Sequence, residues 1–148
     1  MKLRILSVAL LVCAGGCDRI PGTNAYLIRH AEKFAADQLI DPSSAMFRNE
    51  SVHNLAVCGE INGKNRMGAY AGFTRFLSLK DSDTALVDPQ ADPSDAASAE
   101  ELCNSARSND YSSPSLVQES CQRASEEQAK QSVQDTFNTM WKGSCQNT

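Results

Sequence analysis

Between Thr23 and Pro42 the apolar residues recur as on one face of a helix. Leu27, Ala31, Phe34, Ala35 and Leu39 stand at i, i+4, i+7, i+8 and i+12, with Arg29, Glu32, Lys33 and Asp37 elsewhere on the wheel. Thr23 or Asn24 supplies the N-cap, and Asp41-Pro42 ends the helix because a residue before proline is pushed out of the helical region. From Met46 the period changes to two. Met46 to Val52, Leu55 to Asn62 and Tyr70 to Leu79 read as strands, and Thr84 to Val87 as a short fourth. In the second, Leu55, Val57, Gly59 and Ile61 share one face and Cys58, Glu60 and Asn62 the other. The third carries apolar groups on both faces, which places it at the sheet centre with helices available to cover it. Asn62-Gly63 is a hairpin signal, but the polar run through Gly68 predicts a longer loop.

Beyond the strands, Asp88 to Ala97 holds two prolines, three acids and nothing large to bury, and reads as an acidic linker. Ser98 with Glu101 forms a capping-box pattern for a short helix carrying Leu102, Cys103 and Ala106. Ser115 with Gln118 forms another, opening a tail helix that ends near Lys142-Gly143, where the glycine suits a left-handed cap. Along that tail Val117, Cys121 and Ala124 lie on one side of the wheel, and Ala129, Val133, Phe137, Met140 and Trp141 lie nearly opposite. Either one helix meets two partners, or it breaks near Ser125, where Ser125 and Gln128 repeat the capping pattern. The expected fold class is α+β: an N-terminal helix, a small antiparallel meander of three or four strands, and a C-terminal helical tail. The domains run as a leader (1–16), a tether (17–24), an α+β core (25–87), the linker (88–97) and a tail packed on the core (98–148).

The first residues change the picture of where this domain works. Lys2 and Arg4, the apolar run Ile5 to Cys13 and the small residues Ala14, Gly15 and Gly16 form a bacterial export signal, too short for a permanent membrane span. Cys17 follows at once, so Ala14-Gly15-Gly16-Cys17 resembles the lipobox of bacterial lipoproteins. That resemblance implies cleavage before Cys17 and its acylation with palmitate-type chains. Asp18 resembles the signal that retains such proteins at the periplasmic side of the inner membrane, and a soluble periplasmic or secreted protein is the alternative. The expected partners are thus the membrane, through the anchor, and an envelope protein of unknown identity. The 148 residues carry a formal charge of −4, which becomes −6 once Lys2 and Arg4 leave, so nucleic acid is excluded as a partner.

Beyond Cys17, four cysteines remain in the exported part: Cys58, Cys103, Cys121 and Cys145. An even count in an oxidising compartment points to disulfides, with three pairings open. The turn around Tyr111 to Pro114 favours Cys103 with Cys121, as two antiparallel helices require, and leaves Cys58 with Cys145. No Cys-x-x-Cys spacing is present, so no metal site and no cofactor are expected.

The chemistry-bearing candidates are few. Tyr26 to Lys33 (Y-L-I-R-H-A-E-K) resembles the opening signature of the histidine phosphatases, which implies a phosphoryl hydrolase using Arg29 and His30. That family surrounds its His with a second His and further Arg residues. Here the other histidine, His53, lies in an apparent strand, and all eight residues already fit the amphipathic helix. Cys58 with His53 suggests a thiol nucleophile, but oxidation of the thiol is the simpler expectation, and Glu60 with Glu50 suggests an acid/base pair on a solvated strand. No catalytic residue is assigned. Asn62, Lys64, Asn65 and Arg66, in the polar, basic, glycine-bearing loop, are the candidate binding residues. A broader resemblance rests on Asp41 to Asn49 (D-P-S-S-A-M-F-R-N) followed by Val57 to Phe76 (V-C-G-E-I-N-G-K-N-R-M-G-A-Y-A-G-F-T-R-F). These stretches resemble a family of small uncharacterised bacterial and phage proteins, which implies a helix followed by a small antiparallel sheet and no particular activity. The expected function is a non-catalytic interaction or structural module of the cell envelope.

Overall fold

A computed structural model describes residues 20–80 and 82–146; the expected export signal, Cys17 and the start of the expected tether lie outside them. The fold is α+β. Helix α1 (Asn24–Ala36) leads through a 3₁₀ turn (Pro42–Ser44) into strands β1 (Met46–Val52), β2 (Ala56–Asn62), β3 (Thr74–Leu79) and β4 (Leu86–Val87), followed by α2 (Pro93–Ser108) and α3 (Pro114–Trp141). The strands form one antiparallel sheet in the order β1-β2-β3-β4.

Thr23 caps α1, its hydroxyl accepting from the Tyr26 amide. The helix stops at Ala36, five residues before the expected end, and Leu39 reaches the core from the turn that follows. Alternation decides the rest. Val57, Ile61 and Phe76 point to α1 and pack on Ala31 and Ala35, whereas Ala56, Cys58 and Leu77 point the other way and pack on Phe137 of α3. Covered on both faces, β2 and β3 carry the core, and burying a side chain such as Phe76, fully shielded from solvent, contributes roughly 1.5–3 kcal/mol. Phe76 lies over Gly59, its cross-strand partner. A Cβ there would sit 2.7 Å from the Phe76 ring, so glycine is required by the close approach.

Several boundaries differ from expectation. β3 begins at Thr74, because Gly72 takes a left-handed φ of 106°, and Tyr70 keeps only an isolated bridge to Lys64. The acidic linker is shorter: Asp92 caps α2 through the Ser94 amide and Pro93 opens it, so Ser98 and Glu101 lie inside the helix. Ser113, not Ser115, caps α3, again with proline next. In both helices a cap followed by proline at the first helical position outranks the capping box, since proline's fixed φ suits that position and its missing N–H costs nothing there. α3 does not break at Ser125. Its first half packs Cys121 and Ala124 on Ala99 and Cys103 of α2, and its last turns pack Phe137, Met140 and Trp141 on the sheet. Val133 is exposed and Gln134 takes the buried position. The chain leaves α3 through a π turn (Lys142–Gln146), and Gly143 is not among the left-handed residues.

Disulfides join Cys58 to Cys145 and Cys103 to Cys121, with Cα separations of 5.9 and 4.6 Å. The first ties the end of the chain to β2. The second fastens α2 to α3. Among the described residues no helix is long and apolar enough to cross a membrane.

Candidate functional site: a polar cleft at Arg75

Register sets three charges side by side on the face that α3 covers. Arg48 of β1 stands opposite Glu60 of β2, which stands opposite Arg75 of β3. Glu60 Oε2 accepts from Arg48 Nε at 2.7 Å and from Asn49 Nδ2 at 2.7 Å. Asn49 reaches it because β1 bulges between Arg48 and Ser51, with Asn49 at a φ of 57°. The hydrogen bonds from Arg48 and Asn49 hold the Glu60 carboxyl below the usual range, and the Arg48 guanidinium lies 3.9 Å over the Phe73 ring.

Arg75 turns the other way. Its Nε donates to Asp88 Oδ2 at 2.8 Å, its Nη2 lies 2.6 Å from the same oxygen as an ion pair, and Nη2 donates to Asn138 Oδ1. The guanidinium rests over Phe137 and Trp141. Gln134, buried, donates to Asp88 Oδ1 and accepts the Ala91 amide, fixing the chain where it enters α2. Burial raises the Asp88 carboxyl, but hydrogen bonds from Gln134, the Gln90 amide and Arg75 outweigh it, and the net direction is down.

Arg75 therefore separates two concavities. One, about 270 Å³, is bordered by Asn49, Ser51, His53, Glu60, Trp141 and the Cys58–Cys145 disulfide. The other, about 590 Å³, lies toward α2 between Gln90, Gln131 and Asp135. In the first, Ser51 Oγ and His53 Nε2 share a hydrogen bond of 2.9 Å. Sequence reasoning did not single out Arg75, Asp88, Gln134 or Trp141. The one local signal was a charged residue in the middle of the most apolar strand.

The four candidate binding residues divide into two groups. Asn62 is buried and accepts the Gly72 amide, and Asn65 Oδ1 accepts the amides of Met67 and Ala69, so both shape the loop. Lys64 donates its amide to Ser44 Oγ and holds its ammonium 5.6 Å from the centre of the Tyr70 ring. Arg66 and Met67 stand exposed at the tip. The residues that carry the resemblance to the small bacterial and phage proteins thus contact one another: Ser44 with Lys64, Arg48 with Glu60 and Phe73, Asn62 with Gly72.

Arg29 and His30 are held by a helix rather than delivered by a strand. Arg29 is exposed, and His30 lies between Tyr26 and Phe34 with Nε2 3.4 Å from Asp83. Neither borders any of the cavities described, and His53 is in the β1–β2 connection. Cys58 is oxidised and offers no thiol. Glu50 and Glu60 are separated by the sheet, because the bulge turns Glu50 over Gly59 toward α1. Among the described residues no group of three His, Cys, Asp or Glu side chains gathers in metal-binding geometry. Compared with known protein families, curated proteins and solved structures, the chain matches none.

Proposed function

We propose that this protein is an exported, lipid-anchored binding module of the bacterial cell envelope, acting by association rather than by catalysis. The observation that carries the reading is that all four cysteines among the described residues are paired, one bond closing 87 residues of chain. Such bonds form and persist in oxidising compartments outside the cytoplasm. The leader ahead of Cys17 and the lipobox-like Ala14 to Cys17 supply the route and the anchor. A cleft and a loop braced by its own hydrogen bonds suit a module that recognises something, since groups held in place lose little freedom on binding. Stable anchoring takes more than one acyl chain, as each buried CH₂ contributes about 0.8 kcal/mol and a single chain binds only reversibly.

Fractionation of cells carrying Cys17→Ser tests the anchor. The variant is expected to accumulate as precursor or to leave the membrane fraction. Normal maturation with wild-type fractionation would rule the anchor out. Crosslinking in the native envelope from the Arg66–Met67 tip then identifies the neighbour, with a crosslinker on the exposed Leu116 as control.

A further inference from the structure

Directly opposed glutamate and arginine on one sheet face ordinarily pair with each other. Glu60 and Arg75 are opposed in this way and do not: Glu60 is drawn outward to Arg48 and Asn49, and Arg75 is drawn outward to Asp88 and Asn138. Among the described residues, Glu60 Oε1 accepts no hydrogen bond and Arg75 Nη1 donates none. Both border the 270 Å³ cavity.

The geometry points to this cavity as a binding site for an amino-acid zwitterion, its ammonium on Glu60 and its carboxylate on Arg75. Charge bookkeeping selects that ligand. Arg48, Glu60, Arg75 and Asp88 alternate in sign and sum to zero, so an anion attracted by Arg75 meets Glu60, and a cation attracted by Glu60 meets Arg75. A dipolar ligand of no net charge satisfies both. The arginine is already oriented by Asp88 and Asn138 and backed by two aromatic rings, which leaves its remaining edge fixed for a carboxylate. The volume is below the roughly 300–1,000 Å³ of sites for larger ligands and suits one amino acid or the end of a short chain. Trp141 and the disulfide give an apolar wall for its side chain, and Ser51, His53 and Asn49 complete the lining.

The inference rests on the reading of the protein as a binding module but not on its anchoring, so a soluble Cys17→Ser protein leaves it intact. Trp141 is the only tryptophan of the chain and borders the cavity, so its fluorescence reports occupancy. Purified protein is titrated with L-leucine, L-leucinamide and N-acetyl-L-leucine, followed by fluorescence and calorimetry. Leucine is expected to bind saturably, and each analogue, lacking one charge, at least tenfold more weakly. Glu60→Gln keeps an oxygen for Arg48 and Asn49 and is expected to lose leucine affinity at least tenfold with an unchanged circular dichroism spectrum. Absence of saturable leucine binding, or equal binding of all three probes, overturns the proposal, and the comparison of probes on the wild-type protein decides it even if the variant does not fold.

Discussion

Glu32 of α1 and Glu50 of β1 meet carboxyl to carboxyl between the helix and the sheet, because the bulge at Asn49 turns Glu50 over Gly59. Burial first, and the Glu50 charge second, raise the Glu32 carboxyl above its ordinary range, against a smaller opposing pull from Arg29. With the folded value above the unfolded one, the stabilisation is fully present below the ordinary carboxylate range and is lost as pH rises through the elevated value. Glu32→Gln should therefore flatten the pH dependence and melt at a higher temperature than wild type at pH 7–8. Thermal unfolding across pH checks this, and an equal or lower melting point at neutral pH contradicts it.

Asp88 behaves in the opposite sense. Its depressed folded value means stability present above the ordinary aspartate range and lost as pH falls through the lower folded value. Gln134→Ala removes a bond to this carboxylate and leaves the Ala91 amide unpaired, so it should cost about 1–3 kcal/mol at neutral pH and reduce the loss on acidification. Urea titrations at neutral and acid pH measure both, and a loss that grows on acidification would contradict it.

Gly59→Ala places a methyl against the Phe76 ring and the Glu50 side chain, and should destabilise by about 1–3 kcal/mol through overpacking. Phe76→Ala, which empties the centre of the core, should cost about 3–5 kcal/mol. Denaturant midpoints rank the two, and a neutral Gly59→Ala would show that Phe76 has room to move.

The two disulfides should differ in effect. Removing Cys58–Cys145 frees a loop of 87 residues and removing Cys103–Cys121 one of 18, which by chain entropy corresponds to about 4.5 against about 3 kcal/mol. Paired Cys→Ala variants compared by chemical denaturation should keep that order.

Asn65→Ala withdraws the oxygen that accepts the Met67 and Ala69 amides. Those two amides should exchange with solvent roughly tenfold faster, corresponding to about 1–1.5 kcal/mol of local opening, while the global midpoint barely moves. Unchanged exchange would show the loop to be held by other bonds.

Along the chain, local periodicity was enough to locate α1 and the strands β1 and β2, though not the end of α1 or the bulge in β1, and to divide β2 into two faces. One residue's place on a helix or pleat depends on neighbours three or two positions away, and those are visible in order. The helix starts at Asp92-Pro93 and Ser113-Pro114 were also local signals, the first outweighed by the acidic composition around it and the second by the capping-box pattern at Ser115 and Gln118. The cleft is of another kind. Arg75 meets Asp88 and Asn138 at separations of 13 and 63 residues, and Glu60 meets Arg48 and Asn49 across a bulge that shifts the register of β1. Alternation put Glu50 and Glu60 on one strand face each, but only the unpaired residue at Asn49 decided that they look away from each other. Side-chain type could show that Arg75 was an anomaly in an apolar strand, and could not show which acid would claim it. That choice depends on how α3 crosses the sheet, which is set by packing and by Cys58–Cys145, not by any spacing along the sequence.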